Sequence, residues 1–267
     1  MKRFVLFLLI ALVFSNVAAS AQDAGIVHKD LSQAEIANII KKFTANEALF
    51  RRALNVYAFN RYATMQTIGM GSQVTGVYRR DSYLTFNEAG ERSEKILFNP
   101  ISTMTEISVS VADIDNLGGI DPFAIEPKVA DQYAFTYVGK EHIDELDLLV
   151  FDVGPKVMPD AKKGIAKFFS GRIWVEEKEL FIVKTKGKAV PEGKERFPII
   201  ETIRESVDNK YYFPTYSSSD DTLVFGNGQV VKMKVLVRYK NYRVGRTEVR
   251  ILDDVPDPTP TPTPKKP

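Results

Sequence analysis

Two hydrophobic periods divide the chain. From Ser32 to Leu54, apolar residues recur every three or four positions, which predicts one amphipathic helix. Ser32 and Glu35 form a capping box at its start, where each side chain satisfies a backbone amide of the other residue. A second capping pattern from Thr44 to Glu47 leaves open two shorter helices with a kink between them. The apolar stripe of this helix consists of Ile36, Ile39, Ile40, Phe43, Phe50 and Leu54.

After Asn55 the period changes to two, which is typical of strands with one buried face. Runs of branched and aromatic residues alternate with short polar turns, which indicates antiparallel hairpins. The hairpin within Ser170–Gly187 is central to this run, since similar strands precede and follow it. The predicted strands are Val56–Thr67, Gln73–Phe86, Arg92–Phe98, Gln132–Lys140, Leu148–Val153, Ala166–Val175, Leu180–Lys186, Phe197–Val207, Tyr211–Tyr216, Thr222–Phe225 and Val230–Tyr242.

About eleven strands and one helix predict a mainly β protein. A sheet of this size must bury one face and protect its edges. The economical arrangement is a strongly curved antiparallel sheet, or incomplete barrel, wrapped around helix Ser32–Leu54. A β-sandwich is the alternative. The segment Asn99–Ala130 is rich in proline and glycine, and it is predicted to be either the rim of a binding site or a plain crossover.

The two ends of the chain have their own character. Lys2 and Arg3 precede an apolar run, Phe4–Phe14, and residues 19–21 match the small-x-small pattern of a signal peptidase site. We expect residues 1–21 to be a cleavable signal peptide, with cleavage after Ala21 and a periplasmic mature protein. Residues 22–252 then form one domain. Residues 253–267 form a proline-rich tail with the extended character of polyproline sequences.

Composition restricts the chemistry. The net charge is +2, from 36 basic and 34 acidic residues, which argues against nucleic-acid binding. The absence of cysteine excludes disulfides, thiolate metal sites and a lipid-bearing N-terminal cysteine. No later segment approaches the roughly 20 apolar residues of a membrane helix, so stable membrane insertion is not expected. We expect no cofactor and no metal.

The polar clusters favour ordinary structural roles over catalysis. His142 lies in an acidic turn, but a metal site needs several convergent ligands. Adjacent carboxylates such as Asp220 and Asp221 point to opposite sides of an extended chain and make a poor acid–base pair. The Ser217–Asp221 cluster is therefore interpreted as turn or strand-start chemistry. Asp113 and Asp115 lack the glycine and glutamate of a calcium loop. The sequence predicts a protein that is not an enzyme.

Strand aromatics are the candidate ligand contacts. Trp174 is the single tryptophan of the chain and lies inside a predicted strand. Each of these aromatics belongs either to a ligand cavity or to the ordinary core, and the sequence does not say which strand face lines a cavity. The candidate set is Trp174, Phe59, Phe151, Phe181, Tyr211 and Phe213.

The order of these elements resembles a known superfamily. A signal peptide, an amphipathic helix, a long meander and strand phrases such as Leu148–Val153 and Gly171–Val175 are similar to the LolA-like superfamily. Further matching phrases are Val138–Lys140, Ile182–Lys184 and Phe213–Tyr216. This superfamily comprises lipoprotein-sorting carriers, their outer-membrane receptors and the regulator RseB. The resemblance covers about residues 32–244 and is closest to exported bacterial members described as outer membrane lipoprotein-sorting proteins.

The resemblance implies a half-open barrel whose apolar cavity accepts acyl chains. The expected function is thus a non-catalytic periplasmic carrier for lipid or for the acyl chains of a lipoprotein, with an envelope protein as a further partner. This chain lacks the lipobox cysteine of the receptors and carries a tail that the carriers lack. The alternative is an envelope sensor or protein–protein scaffold that uses the same surface for a peptide.

Overall fold

The computed structural model describes residues 25–109, 113, 125–161 and 167–245. Within these ranges the chain forms one long helix, two short helical turns at Met70–Ser72 and Pro127–Ala130, and eleven strands. The strands are β1 Ile26–Val27, β2 Tyr57–Ile68, β3 Val74–Phe86, β4 Arg92–Phe98, β5 Tyr133–Ile143, β6 Leu146–Pro155, β7 Phe168–Glu176, β8 Ile182–Val190, β9 Ile200–Val207, β10 Tyr211–Val224 and β11 Val230–Val244. The predicted signal peptide, the proline-rich tail and most of the segment 110–124 lie outside the described residues.

All eleven strands belong to one sheet, and every neighbouring pair is antiparallel. The order is β1-β5-β6-β7-β8-β9-β10-β11-β2-β3-β4, so β1 and β4 form its two edges. The strand count is close to the prediction, with two corrections. β1 lies before the long helix, where no strand was predicted. The two strands predicted within 211–225 are one strand, β10, that runs through the Ser217–Asp221 cluster.

Helix α1, Gln33–Leu54, is continuous and begins as predicted. The Glu35 amide donates to Ser32 Oγ, and the Glu35 carboxylate accepts from the Ser32 amide at 2.8 Å. The predicted alternative of a kink at Thr44 is not observed, because the Thr44 hydroxyl donates to the Ile40 carbonyl at 2.8 Å and stays within the helix.

The single helix contacts both halves of the sheet, which shows that the sheet curves around it. Phe43, near the middle of α1, packs with Phe151 of β6 and Ile173 of β7. Phe50, two turns later, packs with Phe213 of β10 and Val237 of β11. β-Bulges interrupt several pairings, as at Pro214/Tyr216 on β10, and bulges bend strands. The prediction of a curved, unclosed antiparallel sheet around a helix is confirmed.

The Ser32 cap contributes to the stability of the helix. Ser32→Ala should lower the free energy of unfolding by about 1 kcal/mol, because the Glu35 amide loses its acceptor. Urea denaturation measures this change. Ser206→Ala, an exposed serine of strand β9 outside the helix, is the matched control and should change stability by less than about 0.5 kcal/mol. Equal losses in both variants would contradict a capping role.

Candidate ligand-binding cavity

A cavity of about 460 Å³ opens on the helix-facing side of the sheet. Its floor consists of Met65 on β2, Leu223 on β10 and Met233 on β11. These three residues belong to the apolar cluster that also holds Phe50 of α1, so the cavity continues the helix-covered core. The volume lies within the range of about 300–1,000 Å³ that is usual for small-molecule pockets.

One wall of the cavity is the segment 105–109, which belongs to the proline- and glycine-rich region predicted to form a rim or a crossover. This segment is anchored to the sheet just before it reaches the cavity. The Thr103 amide donates to the Val77 carbonyl of β3 at 3.0 Å, and the Val77 amide donates to Thr103 Oγ1 at 2.9 Å. Ile107 and Val109 then contribute apolar side chains to the wall. The described part of the segment therefore serves as a rim.

The Glu106 carboxylate fixes this rim to the end of the β2–β3 hairpin. It accepts hydrogen bonds from the Thr75 hydroxyl at 2.9 Å and the Thr67 hydroxyl at 3.1 Å, while its backbone carbonyl accepts from Gln229 Nε2 at 2.9 Å. Hydrogen bonding, first from Thr75, lowers the pKa of Glu106 to about 2. The mouth of the cavity thus keeps a negative charge at neutral pH.

A second wall is the segment 195–198, which Arg196 ties to the end of β10. The Arg196 guanidinium donates to the Val224 carbonyl and to the Gly193 carbonyl, both at 2.6 Å. Phe197 and Pro198 supply apolar contacts to the cavity. The site therefore combines an apolar floor with a polar, hydrogen-bonded mouth, which suits an amphipathic ligand.

None of the six aromatic candidates lines this cavity. Phe59 and Phe213 are buried, each at most 1% exposed, in the same cluster as the cavity floor, and Tyr211 packs against them. Phe151 is fully buried in the second cluster, beside Phe43. These four side chains therefore support the core on the helix-facing side of the sheet.

Trp174 and Phe181 lie on the other side of the sheet. Trp174 packs with Leu148 and Val150, whereas its strand neighbours belong to the helix-facing cluster. Its indole nitrogen donates to Glu141 Oε2 at 2.6 Å, and its ring borders a second, more polar groove of about 650 Å³. The Phe181 ring lies 5.2 Å from that of Tyr212, which belongs to the Trp174 cluster. A ligand role for the six aromatics stays a prediction.

The cavity floor was missed at the sequence level because its signal is weak. Met233 lies between two lysines and Leu223 between Thr222 and Val224, so alternation alone marks both as inward-facing. An inward methionine or leucine in a strand is ordinarily core. The path of the segment 105–109 decides whether these side chains line a cavity or lie in a filled core. No local sequence pattern encodes that path.

The described residues contain no group of three or more histidine, aspartate or glutamate side chains that could hold a metal ion. His142 is exposed and pairs with Asp147 at 2.8 Å. Asp221 accepts from the Ile199 amide at 2.8 Å, while Asp220 faces Lys234 at 3.4 Å. The two adjacent carboxylates thus have separate partners, as expected for side chains that point to opposite sides of an extended chain, but they lie within strand β10 and not in the predicted turn.

In the described ranges, no helix combines the length and apolar character that crossing a membrane requires. No family model and no curated protein sequence matches the chain.

Solved structures do resemble it. A LolA superfamily protein from Nitrosomonas europaea is 13% identical with a TM-score of 0.34, over 76% of this chain and 94% of that one. A DUF1329 family protein from Desulfovibrio piger is 16% identical with a TM-score of 0.36, over 80% of this chain and 96% of that one. The first carries the name of the superfamily that the sequence resembles. Both TM-scores are below 0.5, so these likenesses do not indicate a function.

Proposed function

We propose that this protein is a non-catalytic carrier or binding protein of the periplasm, whose ligand is a lipid or the acyl chains of a lipoprotein. The observation that carries the proposal is the 460 Å³ cavity with Met65, Leu223 and Met233 on its floor. An acyl chain would occupy the floor, and its polar end would lie at the mouth, between Glu106 and Arg196.

The energetics of this arrangement are adequate for reversible binding. Each methylene group removed from water contributes about 0.8 kcal/mol, so six buried methylene groups supply about 5 kcal/mol. The floor is held by paired strands and the rim by the Thr103–Val77 hydrogen bonds. Because the walls are already in place, less conformational entropy is lost when a ligand binds.

The polar groups at the mouth favour binding over catalysis. A general acid or base needs a pKa near the working pH and a free position for the proton. Glu106 has a pKa of about 2 and is engaged by two threonine hydroxyls. Arg196 is engaged by backbone carbonyls. Both groups hold the walls of the cavity in place.

The direct test is native mass spectrometry of the processed protein purified from a periplasm, followed by extraction of bound lipid. The proposal predicts a co-purifying lipid or acylated peptide near one equivalent per chain. A clean ligand-free mass, with no uptake of added phospholipid or lysophospholipid, would reject the carrier function and favour the scaffold alternative.

A pair of variants locates the ligand. Leu223→Trp places an indole in the cavity and should lower lipid occupancy at least tenfold, because the indole fills the volume that the ligand would occupy. Val224→Trp on the outward face of the same strand, where Val224 is 56% exposed, is the matched control and should retain wild-type occupancy. Circular dichroism confirms that both variants fold. Unchanged lipid occupancy in a folded Leu223→Trp variant would show that the ligand binds at another site.

A further inference from the structure

The outer face of strands β11, β2, β3 and β4 concentrates the positive charge of a nearly neutral protein. Directly opposed residues of antiparallel strands point to the same side of the sheet, so the pairings define rows across this face. One row is Arg238, Tyr62, Asp81 and Phe98, and the next is Lys240, Asn60, Tyr83 and Lys95. The row on the other side is Leu236, Thr64 and Arg79. We define these three rows, with Lys232, Lys234 and Arg243, as the outer basic face.

The orientation of this face is established by burial. On β11 exposed and buried residues alternate, with Arg238 and Lys240 exposed and Val237 and Tyr239 at most 2% exposed. The buried set packs in the core cluster with Phe50 of helix α1. The outer basic face is thus the side of the sheet turned away from the helix.

The charge of the face is strongly unbalanced. It carries seven basic side chains and one carboxylate, Asp81, which Arg79 neutralises through two hydrogen bonds of 3.1 and 2.6 Å. Lys232 and Lys234 share Asp220 of the adjacent strand at 4.0 and 3.4 Å. The remaining basic residues, namely Lys95, Arg238, Lys240 and Arg243, have no carboxylate partner in the described chain.

The uncharged residues of the face suit an interface between water and lipid. Tyr62 and Tyr83 lie within the rows, and aromatic rings with a polar tip prefer such boundaries. At the sheet edge, Leu97 and Phe98 are each 49% exposed and Ile101 is 94% exposed. A row across four strands spans roughly 15 Å, since neighbouring strands lie about 4.8 Å apart. Such a surface reaches several lipid headgroups at once.

We propose that the outer basic face docks this protein on a bilayer that contains anionic phospholipids. The lysine and arginine side chains would contact headgroup phosphates, and the apolar residues at the β4 edge would rest at the headgroup boundary. A basic side chain near an anionic membrane surface contributes about 1 kcal/mol. The four cations without a carboxylate partner therefore suffice for reversible attachment. This surface is separate from the cavity and turned to the opposite side of the sheet.

Vesicle co-sedimentation tests the proposal. The processed protein should pellet with vesicles of phosphatidylcholine and phosphatidylglycerol and stay in the supernatant with phosphatidylcholine alone. Binding should weaken steeply between about 0.01 and 1 M salt, over which the Debye length falls from about 30 to 3 Å. Equal binding to both vesicles, or binding that ignores salt, would overturn an electrostatic docking face.

Matched triple variants distinguish the effect of this face on membrane binding from the effect of net charge. Lys95→Gln/Arg238→Gln/Lys240→Gln should weaken binding about 100-fold. Lys41→Gln/Lys42→Gln/Lys156→Gln removes three exposed cations elsewhere and should keep binding within about threefold of wild type. Equal losses in the two variants would refute the proposed location. Binding to poly-L-glutamate without binding to anionic vesicles would overturn the proposal and indicate that the face binds an acidic protein.

Docking and cargo binding can fail independently. Vesicle binding is scored with delipidated protein, so it does not depend on an occupied cavity, and lipid co-purification does not depend on the outer basic face. Loss of docking with retained cargo would reject this inference alone.

Discussion

Glu47→Met should destabilise the protein by about 3–5 kcal/mol, because it leaves the charge of Arg204 buried without a carboxylate. The two side chains join helix α1 to strand β9, with Glu47 Oε1 2.6 Å from Arg204 Nη1 and Glu47 Oε2 3.3 Å from Arg204 Nη2. Both side chains are at most 2% exposed. The guanidinium carbon of Arg204 also lies 4.3 Å from the centre of the Phe50 ring.

The pair itself should contribute little net stability. Burial raises the pKa of Glu47, and the attraction of Arg204 offsets this only in part. Ionising Glu47 is therefore harder in the folded protein than in the unfolded chain. The double variant Glu47→Met/Arg204→Met should consequently be as stable as the wild type, or more stable by about 1–4 kcal/mol.

Urea denaturation at neutral pH measures all three proteins. The control is Glu205→Met, which removes an exposed carboxylate from the residue next to Arg204 and should change stability by less than about 0.5 kcal/mol. A double variant as unstable as Glu47→Met would show that this ion pair is a net source of stability, contrary to our expectation.

The position and extent of helix α1 could be read from the sequence because its signals are local. Ser32 and Glu35 cap each other across three residues, and the apolar stripe needs only the helical period. The capping pattern at Thr44 misled for a local reason as well. A threonine can donate to the carbonyl four residues earlier, and in α1 it does so with Ile40.

The single strand β10 was not predictable because its middle depends on tertiary pairing. Without a neighbouring strand, the serines and aspartates from Ser217 to Asp221 favour a turn. In the folded sheet, the Ser217 hydroxyl is completely buried and shares a 2.8 Å hydrogen bond with Thr202 on β9. A neighbouring strand thus satisfies the polar side chain, and β10 continues.

The candidate site was likewise only partly predictable from the sequence. The inward alternation of β11 is visible in the sequence, whereas the segment 99–130 could be predicted only as a rim or a crossover. The side of the sheet on which each aromatic lies could not be predicted. Trp174 and Phe213 look equivalent as strand aromatics, and yet they belong to clusters on opposite sides. Their sides depend on strand order and on bulges, both of which are set by contacts between distant residues.

Glu94 is an inward-facing carboxylate that holds two arginines. Glu94→Gln should destabilise the protein by about 2–4 kcal/mol at neutral pH, because Arg61 and Arg80 lose the negative charge that they share. Arg61 Nη2 lies 3.1 Å from Glu94 Oε1, and Arg80 Nη2 lies 2.6 Å from Glu94 Oε2. The Arg61 side chain is 2% exposed, so water cannot replace the carboxylate there.

The same contacts make stability depend on pH in a defined window. Hydrogen bonds, first from Arg80 and also from Ser82, lower the pKa of Glu94 to about 2, whereas the unfolded chain has a value of about 4.3. A carboxyl group whose native pKa is lowered stabilises the fold above its unfolded pKa. This stabilisation is lost as the pH falls through the native value. The wild type should therefore lose stability between about pH 5 and pH 2.

Urea denaturation across this window separates Glu94 from other acidic groups. The Glu94→Gln variant should show a shallower loss of stability from pH 5 to pH 2 than the wild type, with a residual slope from Glu106, whose pKa is also about 2. Glu88→Gln in the exposed β3–β4 turn removes the same charge and should keep the wild-type slope. Parallel curves for Glu94→Gln and the wild type would mean that Glu94 titrates as it does in the unfolded chain, and its contacts with the two arginines would then contribute nothing to acid sensitivity.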